Sequence, residues 1–373
     1  MQQAYRHPDF SETRFADAPN AVFVAAPADG VLPDNFFSTS NLPTYVKVGG
    51  TWSLPREPRM DSAIVIDTDG LSVLEGRYVR AGQLVATGFS EDGSEGIYVN
   101  AGGFLGDPDD DTGDEFQFMS SQVSREKPVD YGLIADLMRA ERDRGGHIVW
   151  VAGPAVLHSR GRDVITWFIE NGYVNALLAG NAVGVHDIEQ AMLGTTLGMD
   201  RTGRPVPGGH AFHMRAINMI KRAGSIRNAV DQGSLTDGIM HACVKHNVPF
   251  VLAGSIRDDG PLPDTVTDVV EAQERMREHA KKATMTIMVA TALHSIAFGN
   301  MLPAYVVDEQ SGFRPLTTIA VDSSEFVVSK LKDRGTHQAF GIITNAQDFL
   351  HVLRHFVELT TPASADAANG TVL

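Results

Sequence analysis

From residue 147 onward, short apolar runs alternate with helical segments, and this alternation constrains the fold more than any other feature of the chain. The apolar runs are HIVWVAGPA (147–155), VNALLAGNAVGV (174–185, a strand and turn), VPFVLAGS (248–255), ATMTIMVAT (283–291), LTTIAVD (316–322) and QAFGIITN (338–345). The helical segments between them include 161–173, 266–282, 324–334 and 346–359. Such alternation favours a mostly parallel sheet with helices on both faces. We therefore predict an α/β fold with a doubly wound sheet.

The first third of the chain has a different character. Its first 60 residues are rich in Pro, Asn, Ser and aromatic residues and show no helical period. Strand-like runs follow at 62–67, 83–89 and 96–100, and a helical pattern begins after Pro128. The predicted units are a β-rich domain over 1–127, an α/β domain over 128–360 and a loose tail over 361–373.

Composition and charge exclude several classes of protein. The formal net charge of −15 argues against nucleic acid as the main partner, because phosphate binding requires a basic face. The single cysteine, Cys243, excludes an intrachain disulfide framework and a cysteine-based zinc site. No apolar run approaches the ~20 residues of a membrane helix, and the first residues lack the apolar core of a signal peptide. We therefore expect a cytoplasmic protein without a membrane partner.

Small or short polar residues end nearly all of the predicted strands. Ligands of an open parallel sheet bind outside the carboxyl ends of its strands, where small residues let the backbone approach closely. The predicted cofactor contacts at these turns are Gly153, Pro154, Ala155, Gly180, Asn181, Ala182, Gly254, Ser255 and Asn345. The alternative is that the small residues only form tight turns between strand and helix.

A carboxylate, Asp322, follows the strand LTTIAV. A carboxylate in that place can accept hydrogen bonds from both hydroxyls of an adenosine ribose, which favours NAD. The alternative is an N-cap for the helix over 324–334. No G-x-G-x-x-G or P-loop follows any strand, so a dinucleotide site here would not be of the common type.

The turn GSIRDDGPLPD (254–264) is unusually polar for the end of a buried strand. Its prolines restrict the loop before any ligand binds, and Gly254 and Gly260 permit close approach. We expect Ser255, Asp258 and Asp259 to contact the cofactor and Arg257 to bind a substrate, whereas Asp264 or Thr265 caps the following helix. The alternative for Arg257 is an ion pair with Asp258 or Asp259.

Several histidines lie near these turns, but their spacing is a weak signal for metal, and we predict none. They include His186, His210, His213 and His294. A hydrogen-bonding or proton-transfer role suits them better. Asn300, in the same run TALHSIAFGN as His294, is a further predicted cofactor contact.

Several long motifs together resemble one known family. They are GVLPDNFFSTSNLPTYV, FQFMSSQVSREKP, VAGPAVLHS, LLAGNAVGVHDIE, GGHAFHMRAIN, FVLAGSIRDDGPLPDTVTDVVEAQ, ATALHSIAFGNMLP and VDSSEFVVSKLKDRGT. They resemble the archaeal-type ornithine cyclodeaminases, including the carboxyl-terminal part of the cyanobacterial arginine dihydrolase/ornithine cyclodeaminase. The β-rich part is similar to the region named after lysine-oxoglutarate reductase and saccharopine dehydrogenase. The resemblance covers roughly 30–360 and implies NAD-dependent conversion of ornithine to proline with release of ammonia.

A fainter resemblance is to deoxyhypusine synthase, an NAD enzyme with a doubly wound sheet and a non-standard NAD site. The run ATALHSIAFGN looks like its histidine-bearing turn, and ITNAQDFLHVL looks like its adenine-side turn at Asn345. The run SSEFVVSK looks like the helix that carries its lysine, which implies a catalytic role for Lys330.

The implied reaction needs a group that binds the α-carboxylate of an amino acid and a group that removes a proton. Arg257 suits the carboxylate because its guanidinium is a bidentate donor. Asp187, Glu271 and His294 are the candidate bases, and the residues do not rank them. Asn41, Ser120 and Ser121 of the β-rich domain are expected to close the substrate site from the other side.

The expected assembly is a homo-oligomer. Two functions other than ornithine cyclodeamination remain open from the sequence. One is an NAD-dependent amino-acid dehydrogenase that releases NADH and a keto acid. The other is a non-catalytic NAD-sensing module. Absorbance at 340 nm separates the first from a cyclodeaminase, because only a dehydrogenase accumulates NADH.

Overall fold

The structure is a computed structural model that leaves several segments of the chain undescribed. The described residues are 5–104, 129–158, 161–200, 202–258, 260–308, 312–333 and 339–359. The predicted boundary between residues 127 and 128 and the predicted tail over 361–373 lie outside them.

The amino-terminal part, here called the β-rich part (5–104), consists of two antiparallel sheets. Its elements are helix α1 (Thr13–Ala16) and strands β1 (Val22–Ala25), β2 (Thr44–Val48), β3 (Thr51–Ser53), β4 (Ala63–Asp67), β5 (Gly70–Leu74), β6 (Leu84–Thr87) and β7 (Ile97–Val99). One sheet has the order β1-β6-β4-β5, and the other has the order β3-β2-β7. Buried aliphatic side chains such as Val46, Ile64 and Ile97 pack into a common core.

The remainder, here called the α/β part (129–359), contains a seven-stranded parallel sheet. Its strands are β8 (Ile148–Ala152), β9 (Ala176–Gly180), β10 (Phe250–Ala253), β11 (Thr265–Val266), β12 (Met285–Val289), β15 (Thr317–Asp322) and β16 (Ala339–Ile343). A separate antiparallel hairpin is formed by β13 (Tyr305–Asp308) and β14 (Gly312–Pro315). The predicted α/β fold with a doubly wound parallel sheet and a β-rich amino-terminal part is confirmed.

Helices cover both faces of this sheet. They are α2 (Tyr131–Asp143), α3 (Gly161–Glu170), α4 (Asn181–Leu193), α5 (Phe212–Ala223), α6 (Ile226–Asp231), α7 (Ile239–Lys245), α8 (Val269–Ala280), α9 (Ala292–Met301), α10 (Glu325–Asp333) and α11 (Ala346–Glu358). Helices α2 to α7 and α11 share a core on one face, and α8, α9 and α10 share a core on the other. Strand β8 serves both cores, since Ile148 and Trp150 point to the first and Val149 and Val151 to the second.

The strand order β11-β10-β9-β8-β12-β15-β16 puts the switch point between β8 and β12. From β8 the chain moves through β9 to β10 on one side, and it then returns to the other side at β12. Without the short edge strand β11, this is the order of the common dinucleotide-binding fold. A ligand of this sheet is therefore expected at the carboxyl ends of β8 and β12.

Two local expectations were wrong. The segment after Gly180, predicted as a turn, is the start of the 13-residue helix α4. The helix predicted over 266–282 begins at Val269, and its N-cap is Asp268, whose Oδ1 accepts hydrogen bonds from the backbone N–H of Val270 and Glu271. Neither Asp264 nor Thr265 caps it, because β11 occupies Thr265–Val266. No helix among the described residues is both long and apolar enough to cross a membrane.

Candidate active site

The turns after β8 and β12 pack directly against each other at the switch point. A Cβ on Gly153 would lie 1.8 Å from the carbonyl oxygen of Ala290, so only glycine fits there. Ala290 itself has a φ of 57°, in the left-handed region that alanine rarely adopts. Strain of this kind concentrates at ligand sites. The backbone that comes close to Gly153 is therefore that of Ala290, in the turn after β12, and not that of a ligand. We take the strained turn at Ala290 as the centre of the candidate site.

His294 lies in the first turn of α9, at the carboxyl end of β9. A Cβ on Gly180 would lie 3.0 Å from its Cε1 and 3.7 Å from its Nε2. Its Nδ1 is 3.2 Å from Oγ1 of Thr291. Burial lowers the pKa of His294 below the ordinary value of 6.5, because the cation is poorly solvated there. The imidazole is therefore neutral at pH 7 and, if Nδ1–H donates to Thr291, its Nε2 can accept a proton.

Two helices begin at this edge without a side-chain cap. Helix α4 follows Gly180, which has no side chain, and α9 follows Thr291, whose hydroxyl contacts His294 instead of a backbone N–H. Their first-turn N–H groups are thus available to an anion, and helix N-termini bind phosphate. The pair β9–α4 and β12–α9 flanks the turn at Gly153 and Pro154. These residues fit a dinucleotide without the usual glycine fingerprint.

The polar turn after β10 is held by hydrogen bonds between its own residues. The backbone N–H of Ser255 donates to Oδ2 of Asp258 at 2.8 Å, and that of Arg257 donates to Oγ of Ser255 at 3.3 Å. The side chain of Arg257 is exposed and forms no ion pair with a described residue, Asp258 included. Asp259 lies outside the described residues. Of the two ion pairs that were the alternative for Arg257, the one with Asp258 is therefore excluded, and the one with Asp259 stays a prediction.

The side chain of Asn181 is used by the protein itself. Its Oδ1 accepts hydrogen bonds from the backbone N–H of Leu262 at 3.1 Å and from Oγ1 of Thr265 at 2.8 Å. Because Asn181 is buried, these bonds fix the far end of the polar turn onto the start of α4. The backbone of Asn181 and Ala182 lies in the first turn of α4, where it can contact a cofactor.

Asp322 and Asn345, which end β15 and follow β16, differ in what they do locally. Oδ1 of Asp322 accepts a hydrogen bond from the backbone N–H of Ser324 at 2.8 Å. Oδ1 of Asn345 accepts from the backbone N–H of Gln347 at 2.9 Å and caps α11. Asn345 is thus explained as a helix cap, and we do not retain it as a cofactor contact. Asp322 is half-buried and keeps a second carboxylate oxygen.

Asp187 is unsuited to the role of base that the sequence suggested. Its side chain is 0% exposed. Oδ1 accepts from Nε of Arg162 at 2.6 Å and from the backbone N–H of Ile239 at 2.9 Å, and Oδ2 accepts from the backbone N–H of Met240 at 2.8 Å. Asp187 therefore anchors the start of α7 inside the protein, out of reach of a substrate.

Glu271 and Lys330 are unsuited to a catalytic role because both are exposed, whereas Asp187 is buried. Glu271 is exposed and forms an ion pair with Arg275 one turn along α8. Lys330 is exposed on α10, with Nζ 4.5 Å from the centre of the Phe326 ring. Solvated groups of this kind have little reason to act as catalytic acids or bases. Neither is retained as catalytic.

The other predicted contacts are distributed as follows. Pro154 and Ala155 lie in a short 3-10 turn after β8, where the carbonyl oxygen of Ala155 accepts from the side chain of Gln347. Gly254 packs against the backbone of Thr267. Asn300 is half-buried in the last turn of α9. The buried Asn41 accepts a hydrogen bond at its carbonyl oxygen from the N–H of Ala304 at 2.7 Å, joining the β-rich part to the end of α9. Ser120 and Ser121 lie outside the described residues.

Sequence reasoning missed two features of this site. The strained conformation of Ala290 has no signature in the sequence. The partnership of Thr291 with His294 could have been found, since residues three apart at a helix start face each other. Among the described residues, no three His, Cys, Asp or Glu side chains are grouped to hold a metal ion.

Two family models match most of the chain. The one described as "Arginine dihydrolase ArgZ-like, C-terminal, Rossmann fold" matches residues 132–353. The one described as "Arginine dihydrolase ArgZ-like, C-terminal, first region" matches residues 43–133. The two matches meet close to the predicted boundary between the β-rich and α/β domains.

Similar proteins are found among both curated sequences and solved structures. A protein of Methanopyrus kandleri named ornithine cyclodeaminase is 47% identical over 332 residues, which are 87% of this chain and 75% of that protein. The crystal structure of a conserved LOR/SDH protein from Methanococcus maripaludis is 40% identical, with a TM-score of 0.79, over 92% of this chain and 98% of that one. The ternary complex of AgrE with ornithine and NAD+ is 37% identical, with a TM-score of 0.57, over 92% of this chain and 46% of that one.

Proposed function

The chain belongs to the ArgZ-like C-terminal family together with the archaeal ornithine cyclodeaminases, and we propose that it converts ornithine to proline with release of ammonia. The observation that carries the proposal is the 47% identity to the Methanopyrus kandleri ornithine cyclodeaminase across 87% of the chain. An identity of that extent is spread over most of the chain and is not confined to one motif. It supports a shared reaction better than a shared fold alone would.

NAD is the cofactor of the proposed reaction. The chemistry that it supplies is acceptance of a hydride from Cα of ornithine and return of that hydride to the cyclic imine, so that none is consumed over a turnover. The residues that would hold it are the turn at Gly153, the uncapped first turns of α4 and α9, and Asp322. The turn at Gly153 and the two helix starts lie at the switch point of the sheet, and Asp322 ends the next strand, β15. Their common edge supports the assignment.

Arg257 would bind the α-carboxylate of ornithine. Its guanidinium is exposed at the carboxyl end of β10 and is not neutralised by a described residue. A planar fork of donors matches a carboxylate in a bidentate way, which fixes the orientation of Cα as well as supplying affinity. Farther along the same turn, Leu262 and Thr265 are held to the start of α4 through Asn181.

His294 would move the protons. With Nδ1–H donated to Thr291, Nε2 can accept a proton from the α-ammonium group of ornithine, which must be neutral before Cα can lose a hydride. The same nitrogen can return the proton to the amine that departs as ammonia after the δ-amine has attacked Cα. A neutral imidazole at pH 7 is required for the first step, and its burial supports that state.

The test is to supply the purified protein with isotope-labelled L-ornithine and NAD+ well below the ornithine concentration. We expect labelled proline and ammonia in equal amounts, many turnovers per NAD+, and no net absorbance at 340 nm. Accumulation of NADH with a keto acid would identify an amino-acid dehydrogenase instead. Tight binding of NAD+ without any turnover of ornithine or other diamino acids would identify a sensing module.

A further inference from the structure

A cavity lies away from the strand ends, between the β-rich part and helix α8. Its volume is about 390 Å³, within the range of small-molecule sites. It is lined by residues of the β-rich part between Glu57 and Tyr78 and by residues of α8 and its end from Gln273 to Lys281. None of them belongs to the candidate active site. The cavity is therefore a separate feature of the molecule.

The lining is rich in charge of both signs. Five cationic side chains face four carboxylates, although the whole chain has a net charge of −15. All four carboxylates are used in part: Glu75 by Arg59 and Arg77, Glu274 by the hydroxyl of Tyr78, and Glu57 and Glu278 by Lys281. Glu274 and Glu278 are on α8, one turn apart, and so share a face of that helix.

Two arginines, Arg59 and Arg277, are not fully neutralised. Arg277 donates to the carbonyl oxygens of Met301 at 2.5 Å and Glu57 at 2.8 Å, and it forms no ion pair with a described residue. Burial, and then the positive charge of Arg59, lower the pKa of Arg277 to about 10. Arg59 pairs with Glu75 through Nη1, but its buried Nε has no partner among the described residues. An added carboxylate would relieve the repulsion between these two cations.

The loop that carries Arg59 is strained. Glu57 has a φ of 55° and Asp61 has a φ of 56°, so two residues other than glycine adopt the left-handed region within five positions. Such conformations persist where the surrounding structure imposes them, and they are frequent at ligand clamps. In this loop the carbonyl oxygen of Glu57 accepts a hydrogen bond from Arg277 of α8, and Arg59 lines the same cavity.

We propose that this cavity binds a free α-amino acid as a zwitterion, with its carboxylate between Arg59 and Arg277 and its ammonium group at Glu274 and Glu278. A polyanion such as phosphate or a nucleotide would face four carboxylates, whereas a zwitterion presents one charge of each sign to a lining of both signs. The bound molecule would contact the β-rich part and α8 at once. The proposal goes beyond the proposed function and does not depend on it.

The test is a thermal-shift screen of the full chain against the twenty common amino acids and ornithine, with acetate and inorganic phosphate as single-charge and multiple-charge comparisons. Calorimetry then measures the affinity of any amino acid that shifts the melting temperature. We expect at least one to bind the wild type and the Arg257→Ala variant alike, and Arg59→Gln to weaken that binding at least about tenfold. Arg80→Gln, an exposed arginine of the same part outside the cavity, is the matched control.

Glu278→Lys is a second variant, at the exposed rim of the cavity, where folding is not at risk. It should also weaken binding of the amino acid. The site is wrong if no amino acid binds, or if Arg59→Gln and Glu278→Lys both bind with unchanged affinity. Loss of binding in Arg257→Ala alone would assign the amino acid to the active site. Binding of acetate or phosphate with the same affinity as the amino acid would contradict the proposal that the ligand is a zwitterion.

Discussion

The turn after β12 and the helical layer around Asp187 both contain ionisable side chains. The two regions differ in how many of these side chains are paired within the protein. Around Asp187, every charge is met by a protein partner: Arg162 is shared between Asp187 and Asp237, and two backbone N–H groups complete the carboxylate. After β12, Thr291 leaves the N-terminus of α9 uncapped and contacts His294 instead. In the first region each charge has a partner of opposite charge, although the buried Nη2 of Arg162 has no further partner among the described residues. The second region keeps the first-turn N–H groups of α9 and Nε2 of His294 for a ligand.

This contrast separates structural charge from functional charge. A buried charge without partners is expensive, so a fully buried and fully paired group stabilises the fold and has no capacity left for a substrate. A group that gives up its local partner keeps that capacity at a cost in stability, which is typical of active sites. The predictions that follow test whether the two regions divide catalysis and stability in this way.

His294→Ala should lower the rate of proline formation by about 10²- to 10⁴-fold, which is the usual contribution of a general base. The affinity for NAD+, measured by calorimetry, should change little because the helix N–H groups remain. Leu293→Ala, at an exposed neighbouring position of α9, is the control and should keep full turnover. A His294→Ala enzyme with wild-type kcat would remove His294 from the mechanism.

The pH dependence of kcat/KM should reflect the titration of His294. The base works in its neutral form, and burial favours that form, so activity should be at its plateau at pH 7 and fall only as the pH drops through a value below 6.5. The profile of the wild type between pH 5 and pH 8 measures that midpoint. A midpoint above 6.5 would contradict a buried, neutral His294.

Asp187→Ala should destabilise the protein by about 3–5 kcal/mol, because it leaves the guanidinium of Arg162 buried without its main partner. Urea unfolding measures the change, and activity per folded molecule should stay close to that of the wild type. Asp237→Asn is the matched control: it touches the same guanidinium from an exposed position and should cost about 1 kcal/mol or less. A stable Asp187→Ala protein without turnover would restore Asp187 as a catalytic group.

Six of the seven strands of the parallel sheet could be predicted, because burial on both faces leaves unbroken apolar runs such as IVWVA (148–152). Of the ten helices described in the α/β part, five were predicted. The strands of the first 60 residues were not found. Strand β2 is buried at four of its five positions and includes Lys47, whose Nζ donates to three backbone carbonyl oxygens. A lysine satisfied in this way interrupts the apolar pattern on which recognition of a strand depends.

The candidate site was predictable in position but not in its roles. The strand-end rule gathers the candidate residues at one edge of the sheet, because carboxyl ends of parallel strands share an edge. The rule does not reveal that Asp187 meets Arg162 from 25 residues away and Ile239 from 52 residues away. Contacts of that range decide whether a carboxylate is free, and they exist only in the folded chain.

Arg257→Ala should raise the KM for ornithine by about ten- to a hundredfold, since a charge-assisted hydrogen bond contributes about 1.5–3 kcal/mol. The melting temperature of the cofactor-free protein should be nearly unchanged, because the guanidinium has no described protein partner. Arg222→Ala, an exposed arginine in the last turn of α5, should alter neither quantity. A lower melting temperature with unchanged KM would make the polar turn a structural element.

The smallest expected effects concern the two polar residues that follow β16 and end β15, Asn345 and Asp322. They test whether a structural and a functional polar residue can be told apart. Asn345→Ala removes the cap of α11 and should cost about 1 kcal/mol of stability, while calorimetry should show unchanged affinity for NAD+. Asp322→Ala is the matched variant one strand away, and it should weaken NAD+ binding while altering stability less, because its second carboxylate oxygen is free of the Ser324 turn. In this strand order the ribose-binding carboxylate of the common fold follows the second strand, which here ends in Gly180 and Asn181. Unchanged NAD+ affinity in Asp322→Ala would therefore place the adenine ribose over β9, where backbone groups alone would bind it.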